Sequence, residues 1–172
     1  MTPASQQLLA LARQLAAWYM ALPTAQASMV TGSVADGLSD GFSDVDMAVY
    51  YQELPSEEHL AAIRQRASGL GERKWLIGSR ESGTLIEAFA VAGVECQVIH
   101  ATPQAVEAQI DGVLLQHEVG TPTHKAMAGL LKGLPLYGQP LLQSWKNRIA
   151  RFPEQLADKT ILHHLQFFPF WG

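Results

Sequence analysis

Apolar residues recur at helical spacing from Ala4 to Leu22, where Leu8, Leu11, Leu15 and Trp18 form a stripe with Leu9 and Ala12 beside it. Pro3 suits the first turn of that helix and Pro23 stops it. The period then shortens. Ala27 to Thr31 reads as a strand, and a second strand from Val45 to Tyr51 puts Asp44, Asp46, Ala48 and Tyr50 on one face and Val45, Met47, Val49 and Tyr51 on the other. Pro55-Ser56-Glu57-Glu58 opens another helix, capped by Ser56 and closed by Gly69 to Gly71. Leu60, Ile63 and Ala67 form its inner stripe, which leaves Arg64 and Arg66 to solvent. The run from Arg73 through Ile77 reads as a short strand or a loop.

Two strand-like runs between Thr84 and Thr102 meet at Ala92-Gly93. A two-residue turn there sets Ala90 opposite Glu95, Phe89 opposite Cys96 and Glu87 opposite Val98. One face then carries Phe89, Val91, Val94, Cys96 and Val98, with Glu87 at its edge. The other carries Ala88, Ala90, Glu95 and Gln97, and its small alanines leave room for a ligand beside Glu95. A helix follows Pro103, and a second one from Pro122 leads into a turn at Leu136-Tyr137-Gly138. Residues 140–170 predict one or two further helices. The final Phe167-Phe168-Pro169-Phe170-Trp171-Gly172 is apolar enough to need cover, from this domain, from a longer chain or from a second copy in a homodimer.

Composition narrows the classes. The 172 residues, 48% hydrophobic and 16% charged, make one globular domain with a real core and a small annex. A net charge of −4 disfavours a long nucleic-acid partner, which calls for a basic excess. The lone cysteine, Cys96, lies in an apolar run and reads as a buried thiol in a reducing compartment. Neither a leader nor a membrane span is legible, so the cytoplasm is the default location. His117 and His124 are seven apart but lack a third ligand, and Lys125 and Lys132 read as solvated lysines within reach of a phosphate.

The chemistry concentrates between Met29 and Tyr51. Two carboxylates on one face at the head of a strand repel each other, and a divalent cation relieves that repulsion. Hard oxygen ligands with room for waters and phosphates suit Mg²⁺ or Mn²⁺. Upstream, Gly32 permits close backbone approach, and Ser33 starts a short helix whose amides can meet a phosphate. The same residues also read as a solvated, turn-rich loop around Asp40, Asp44 and Asp46 with Ser33 a plain cap. A calcium loop fits less well, because Leu38 and Met47 would stand where oxygen ligands are needed.

Gly32-Ser33, ten intervening residues, then Asp44-Val45-Asp46-Met47 between apolar flanks resembles the signature of the DNA polymerase β nucleotidyltransferase superfamily. The resemblance covers roughly residues 27–138, and the Leu136-Tyr137-Gly138 turn is similar to the segment after the catalytic domain of antibiotic nucleotidyltransferases. It implies an α+β fold, a small mixed sheet flanked by helices, with a nucleotidyltransferase domain over residues 1–118 and a helical extension over 119–172. It also implies that Asp44 and Asp46 bind two Mg²⁺ ions, with Mn²⁺ an alternative. Gly32 and Ser33 hold phosphates. Glu95, in Val94-Glu95-Cys96, matches the third carboxylate that completes the metal site or takes a proton, with Glu87 the fallback. One departure is Ala35-Asp36-Gly37, where many relatives carry an arginine.

The implied reaction moves a nucleoside monophosphate from a nucleoside triphosphate to a hydroxyl of a small acceptor. One alternative is a protein acceptor, as in minimal nucleotidyltransferase antitoxins. Another is a nucleotide-binding domain without turnover.

Overall fold

The computed structural model describes residues 1–151, 156 and 159. The N-terminal helix α1 (Pro3–Met20) starts where Thr2 accepts the Ser5 backbone amide and Pro3 occupies the first turn. Strand β1 (Ala25–Val30) leads through the short helix α2 (Gly32–Asp36) and a polar loop into β2 (Val45–Tyr51). Helix α3 (Glu57–Ser68) is capped by Ser56 and ends at Gly69, which adopts the left-handed conformation. Strands β3 (Trp75–Ser79), β4 (Thr84–Val91) and β5 (Val94–Ala101) follow, then α4 (Pro103–Leu114), α5 (Thr121–Lys132), β6 (Leu134–Tyr137) and α6 (Gln139–Ile149).

The six strands form one mixed sheet in the order β3-β4-β5-β2-β1-β6, in which β2 and β5 run parallel and the other pairs antiparallel. The expected α+β class holds. So does the hairpin register: Ala90 pairs with Glu95, Phe89 with Cys96 and Glu87 with Val98. Ala92 and Gly93 both have positive φ, 49° and 86°, the conformation a two-residue hairpin turn requires. Strand β6 is an addition, since only a helix and a turn were expected there. Its pairing with β1 closes that edge of the sheet, and Pro135 limits further pairing beyond it.

Helices cover both faces. On one side Leu8, Ala12, Leu15 and Tyr19 of α1, Val34 of α2 and Leu60 and Ile63 of α3 pack on Val45, Met47, Val49, Phe89 and Val98. On the other, α4, α5 and α6 place Val106, Ile110, Met127, Leu142 and Trp145 over Ala27, Met29, Ala48 and Tyr50. Burying each large side chain contributes about 1.5–3 kcal/mol. These two cores hold the strands rigid at the end of the sheet where the polar residues gather.

The first core also contains a polar network the sequence did not announce. Arg64, expected to face solvent, is 3% exposed, and its Nη1 donates to Glu87 Oε2 at 2.5 Å while Nη2 donates to Glu57 Oε1 at 2.5 Å. Glu87, expected at an edge, is fully buried. Its Oε1 lies 3.2 Å from His100 Nε2, and His100 Nδ1 lies 3.2 Å from the Tyr51 hydroxyl. A carboxylate acceptor at Nε2 assigns the proton to that nitrogen, which leaves Nδ1 to accept from Tyr51. The correction has a plain cause. Neither charge is tolerable alone in a core, and the pairing that makes both tolerable joins elements 23 residues apart in sequence.

Expectations for the C-terminal apolar residues, including a homodimer through them, lie outside the described residues.

Candidate active site

Five positions, three of them charged, meet at one end of the sheet because of strand direction. Gly32 follows β1, Asp44 precedes β2, Glu95 is near the start of β5, Ala90 is near the end of β4, and Lys74 precedes β3. In the parallel pairing Val45 sits beside Cys96 and Asp46 beside Gln97. Asp44, Asp46, Glu95 and Gln97 therefore share the face that α4, α5 and α6 cover farther along the strands.

Gln97 ties two of the acids together. Its Nε2 donates to Asp44 Oδ2 at 3.1 Å and to Glu95 Oε1 at 3.3 Å. The other Glu95 oxygen, Oε2, accepts from Lys74 Nζ at 2.6 Å. Lys74 and Glu95 are 48% and 33% exposed, so this pair is screened by water and contributes about 0–1 kcal/mol. Neither Gln97 nor Lys74 stands out as a site residue in the sequence. Period-two alternation does put Gln97 on the carboxylate face, whereas nothing local signals Lys74, whose partner is 21 residues away.

Asp46 is the least comfortable of the acids. Burial raises its carboxyl above the ordinary range, Asp44 adds to the shift, and Glu95 adds a little more, while Lys125 on α5 pulls the other way. Ionising this carboxyl is thus costly. Gly32 crowds the same carboxylate from β1. Its φ is +62°, and a Cβ placed on it would stand 2.5 Å from Asp46 Oδ2, so a side chain there would displace the acid. Ser33, the next residue, has its hydroxyl 3.1 Å from that of Ser39, whose backbone amide donates to Ser5 on α1. The loop between is organised by Asp40, which accepts from the Phe42 amide and the Ser43 hydroxyl. Phe42 at its tip is fully exposed.

The donor set fits a hard divalent cation as a pair. Asp44 and Asp46 supply oxygens on one strand face, and the raised Asp46 carboxyl marks the charge a cation would relieve. Among the described residues no group of three or more His, Cys, Asp and Glu side chains is arranged to hold a metal ion. Glu95, with both oxygens engaged by Lys74 and Gln97, stands on the same face without completing such a group. Glu87 points into the opposite core and belongs to the Arg64 network. His117 and His124 bring no metal cluster about among these residues either.

Cys96 faces away from the carboxylates. Burial, then the Asp44 and Glu95 charges, push its thiol up to about 12, so it is inert as a nucleophile.

Two clefts on the surface of the described residues bear on the site. One of about 350 Å³ lies against β6, walled by Arg13 and residues Leu134 to Tyr137, with no carboxylate in its wall. The other, about 230 Å³, is walled by Ser68, Leu70, Glu72, Arg73, Lys74 and Ala90, and adjoins Glu95 through Lys74 and Ala90. The second, smaller one is the cleft that reaches the candidate chemistry. No helix among the described residues is long and apolar enough to cross a membrane.

No protein-family model matches this chain, and no curated protein matches it. Among solved structures it is similar to a nucleotidyltransferase-like protein from Exiguobacterium sibiricum 255-15, with 13% identity and a TM-score of 0.48. That similarity covers 88% of this chain and 41% of the other, so the chain spans less than half the length of that protein.

Proposed function

We propose that the Asp44, Asp46 and Glu95 face is the active site of a nucleotidyltransferase that acts on a nucleoside triphosphate and a small hydroxylated acceptor. The single observation that carries this reading is the Gly32–Asp46 juxtaposition beside Asp44, a glycine kept bare against a carboxylate that burial and the Asp44 charge make costly to ionise. It joins the two halves of the Gly-Ser and Asp-x-Asp pattern at one point in space.

Asp44 and Asp46 would hold Mg²⁺ or Mn²⁺, and Glu95 would join one of two such ions. When bound, the metal supplies charge neutralisation for the phosphate oxygens. The chain's own residues do the rest. Gly32 leaves space for the outer phosphates over the start of α2, and Lys125 offsets part of the negative field at Asp46. Glu95 accepts the proton of the acceptor hydroxyl. The hydroxyl oxygen attacks the α-phosphorus, a new P–O bond forms as the bond to pyrophosphate breaks, and pyrophosphate leaves with the electron pair. Positioning and electrostatics provide most of the acceleration in such transfers.

One observation favours a second reading, a nucleotide-binding domain without turnover. Lys74 holds Glu95 in an ion pair, and no three-carboxylate group forms among the described residues. A pyrophosphate-release assay separates the two. The protein is incubated with each of the four ribonucleoside triphosphates, Mg²⁺ and a panel of hydroxylated compounds. The enzymatic reading expects metal-dependent release with one acceptor class, lost in Asp44→Asn while the circular dichroism is unchanged. Release that survives Asp44→Asn contradicts the assignment.

A further inference from the structure

The cleft of about 230 Å³ beside Glu95 is unaccounted for by the metal and phosphate residues. Strand order settles which side of the site it occupies. Gly32 and Ser33 follow β1, which lies on one side of β2, whereas β5, β4 and then β3 lie on the other. Across this end of the sheet the order is therefore Gly32, the Asp44–Asp46 pair, Glu95 with Gln97, Ala90, and then the cleft behind Lys74. A triphosphate held over Gly32 would lie across the Asp44–Asp46 pair from the cleft. The alanine at position 90, opposite Glu95 in the hairpin, provides part of its wall and puts only a methyl group between the cleft and the Glu95 position.

The charged side chains in the cleft wall are Arg73, Lys74 and one carboxylate, Glu72. Two cations line it, but Arg73 is committed to Glu57 at 2.9 Å and lies 3.7 Å from Glu87. Lys74 carries three donor hydrogens, and one meets Glu95 at 2.6 Å. It is 48% exposed and held by a screened pair, so it exchanges partners readily. Leu70, 73% exposed, gives the cleft an apolar lip. At about 230 Å³ the space is below the roughly 300–1,000 Å³ that encloses a drug-sized ligand, so it takes a small molecule or the end of a larger one.

We propose that this cleft is the acceptor site and that it takes a hydroxylated compound bearing a carboxylate or phosphate, with Lys74 as the anion-binding group. The inference rests on the nucleotidyltransferase reading and deepens it. An anion in the cleft draws the Lys74 ammonium from Glu95, so the arrival of the acceptor frees the carboxylate that takes its proton. The Lys74–Glu95 pair is then the resting state of an active site.

The test is a titration of isotopically labelled full-length protein followed by amide resonances, with glycerol 3-phosphate, glycerate and uncharged glycerol as probes. The two anions are expected to give saturable shifts at Leu70, Lys74 and Ala90, and glycerol none. Lys74→Met should weaken the anions by at least about tenfold, and Lys74→Arg should restore most of that. Asp44→Asn should leave the anion shifts intact. Equal affinity in Lys74→Met, shifts confined to other residues, or no saturable shift with either anion would overturn the proposal. A parallel titration with a nonhydrolysable ATP analogue and Mg²⁺ keeps the two failures apart. If the analogue binds and the anions do not, the acceptor site is wrong and the nucleotidyltransferase reading stands. If the anions bind and the analogue does not, that underlying reading is wrong and the cleft, though an anion site, is no acceptor site.

Discussion

Glu87 and Glu95 lie on the two strands of one hairpin, and each is a glutamate between apolar neighbours. Glu87 is fully buried, fixed by Arg64 and His100. Glu95 is 33% exposed, held by a solvent-facing lysine and a shared amide. The difference is one of strand parity. In the antiparallel pairing Glu87 stands opposite Val98 and Glu95 opposite Ala90, so the two acids take opposite faces of the sheet. One face stabilises a charge by enclosing it. The other keeps it available.

The largest way to break this comparison is to remove each charge in turn. Glu95→Gln should lower nucleotidyl transfer by about 10²–10⁴-fold, the usual contribution of a general base. Its unfolding free energy should stay within about 1 kcal/mol of the parent, since the ion pair it loses is exposed. Glu87→Ala should do the reverse. Removing the buried partner of Arg64, which then keeps only the half-exposed Glu57, costs about 3–5 kcal/mol, read as a fall in the denaturant midpoint. Equal destabilisation by the two variants would erase the distinction.

A smaller effect sharpens it. Asp46 has a carboxyl raised in the folded state by burial and by Asp44, so its ionised form opposes folding at neutral pH. Asp46→Asn should therefore raise the melting temperature modestly at pH 7 while removing activity. The gain should fade as pH falls through the raised pKa, because the parent then carries a proton there too. A variant that is less stable than the parent at pH 7 would show that Asp46 is a structural acid. Smallest of all, Lys74→Met should change stability by no more than about 0.5 kcal/mol.

Much of this geometry is legible in the sequence because it is local. The alternation from Asp44 to Tyr51 fixes which carboxylates share a face, and the Ala92-Gly93 turn sets the hairpin register residue by residue. What is not legible depends on partners distant along the chain. Helical spacing puts Arg64 one step from Ile63, and only the contact with Glu87 reveals that it turns inward. Strand β6 is four residues with a proline, too short to display a period, and its pairing with β1 makes it a strand. Lys74 looks like one basic residue among several until the fold carries it to Glu95. Gln97 illustrates the middle case, since its face follows from alternation but its bridge to Asp44 requires the parallel pairing of β2 with β5.

The most direct test is a calorimetric titration with a nonhydrolysable ATP analogue, with and without Mg²⁺, on the parent protein and on Asp44→Asn. Binding that requires Mg²⁺ and is lost in the folded Asp44→Asn protein is the predicted result, with Glu95→Gln retaining most of it. Binding that is indifferent to Mg²⁺ and to Asp44, or none at all by the folded parent, would contradict a nucleotide site at this end of the sheet.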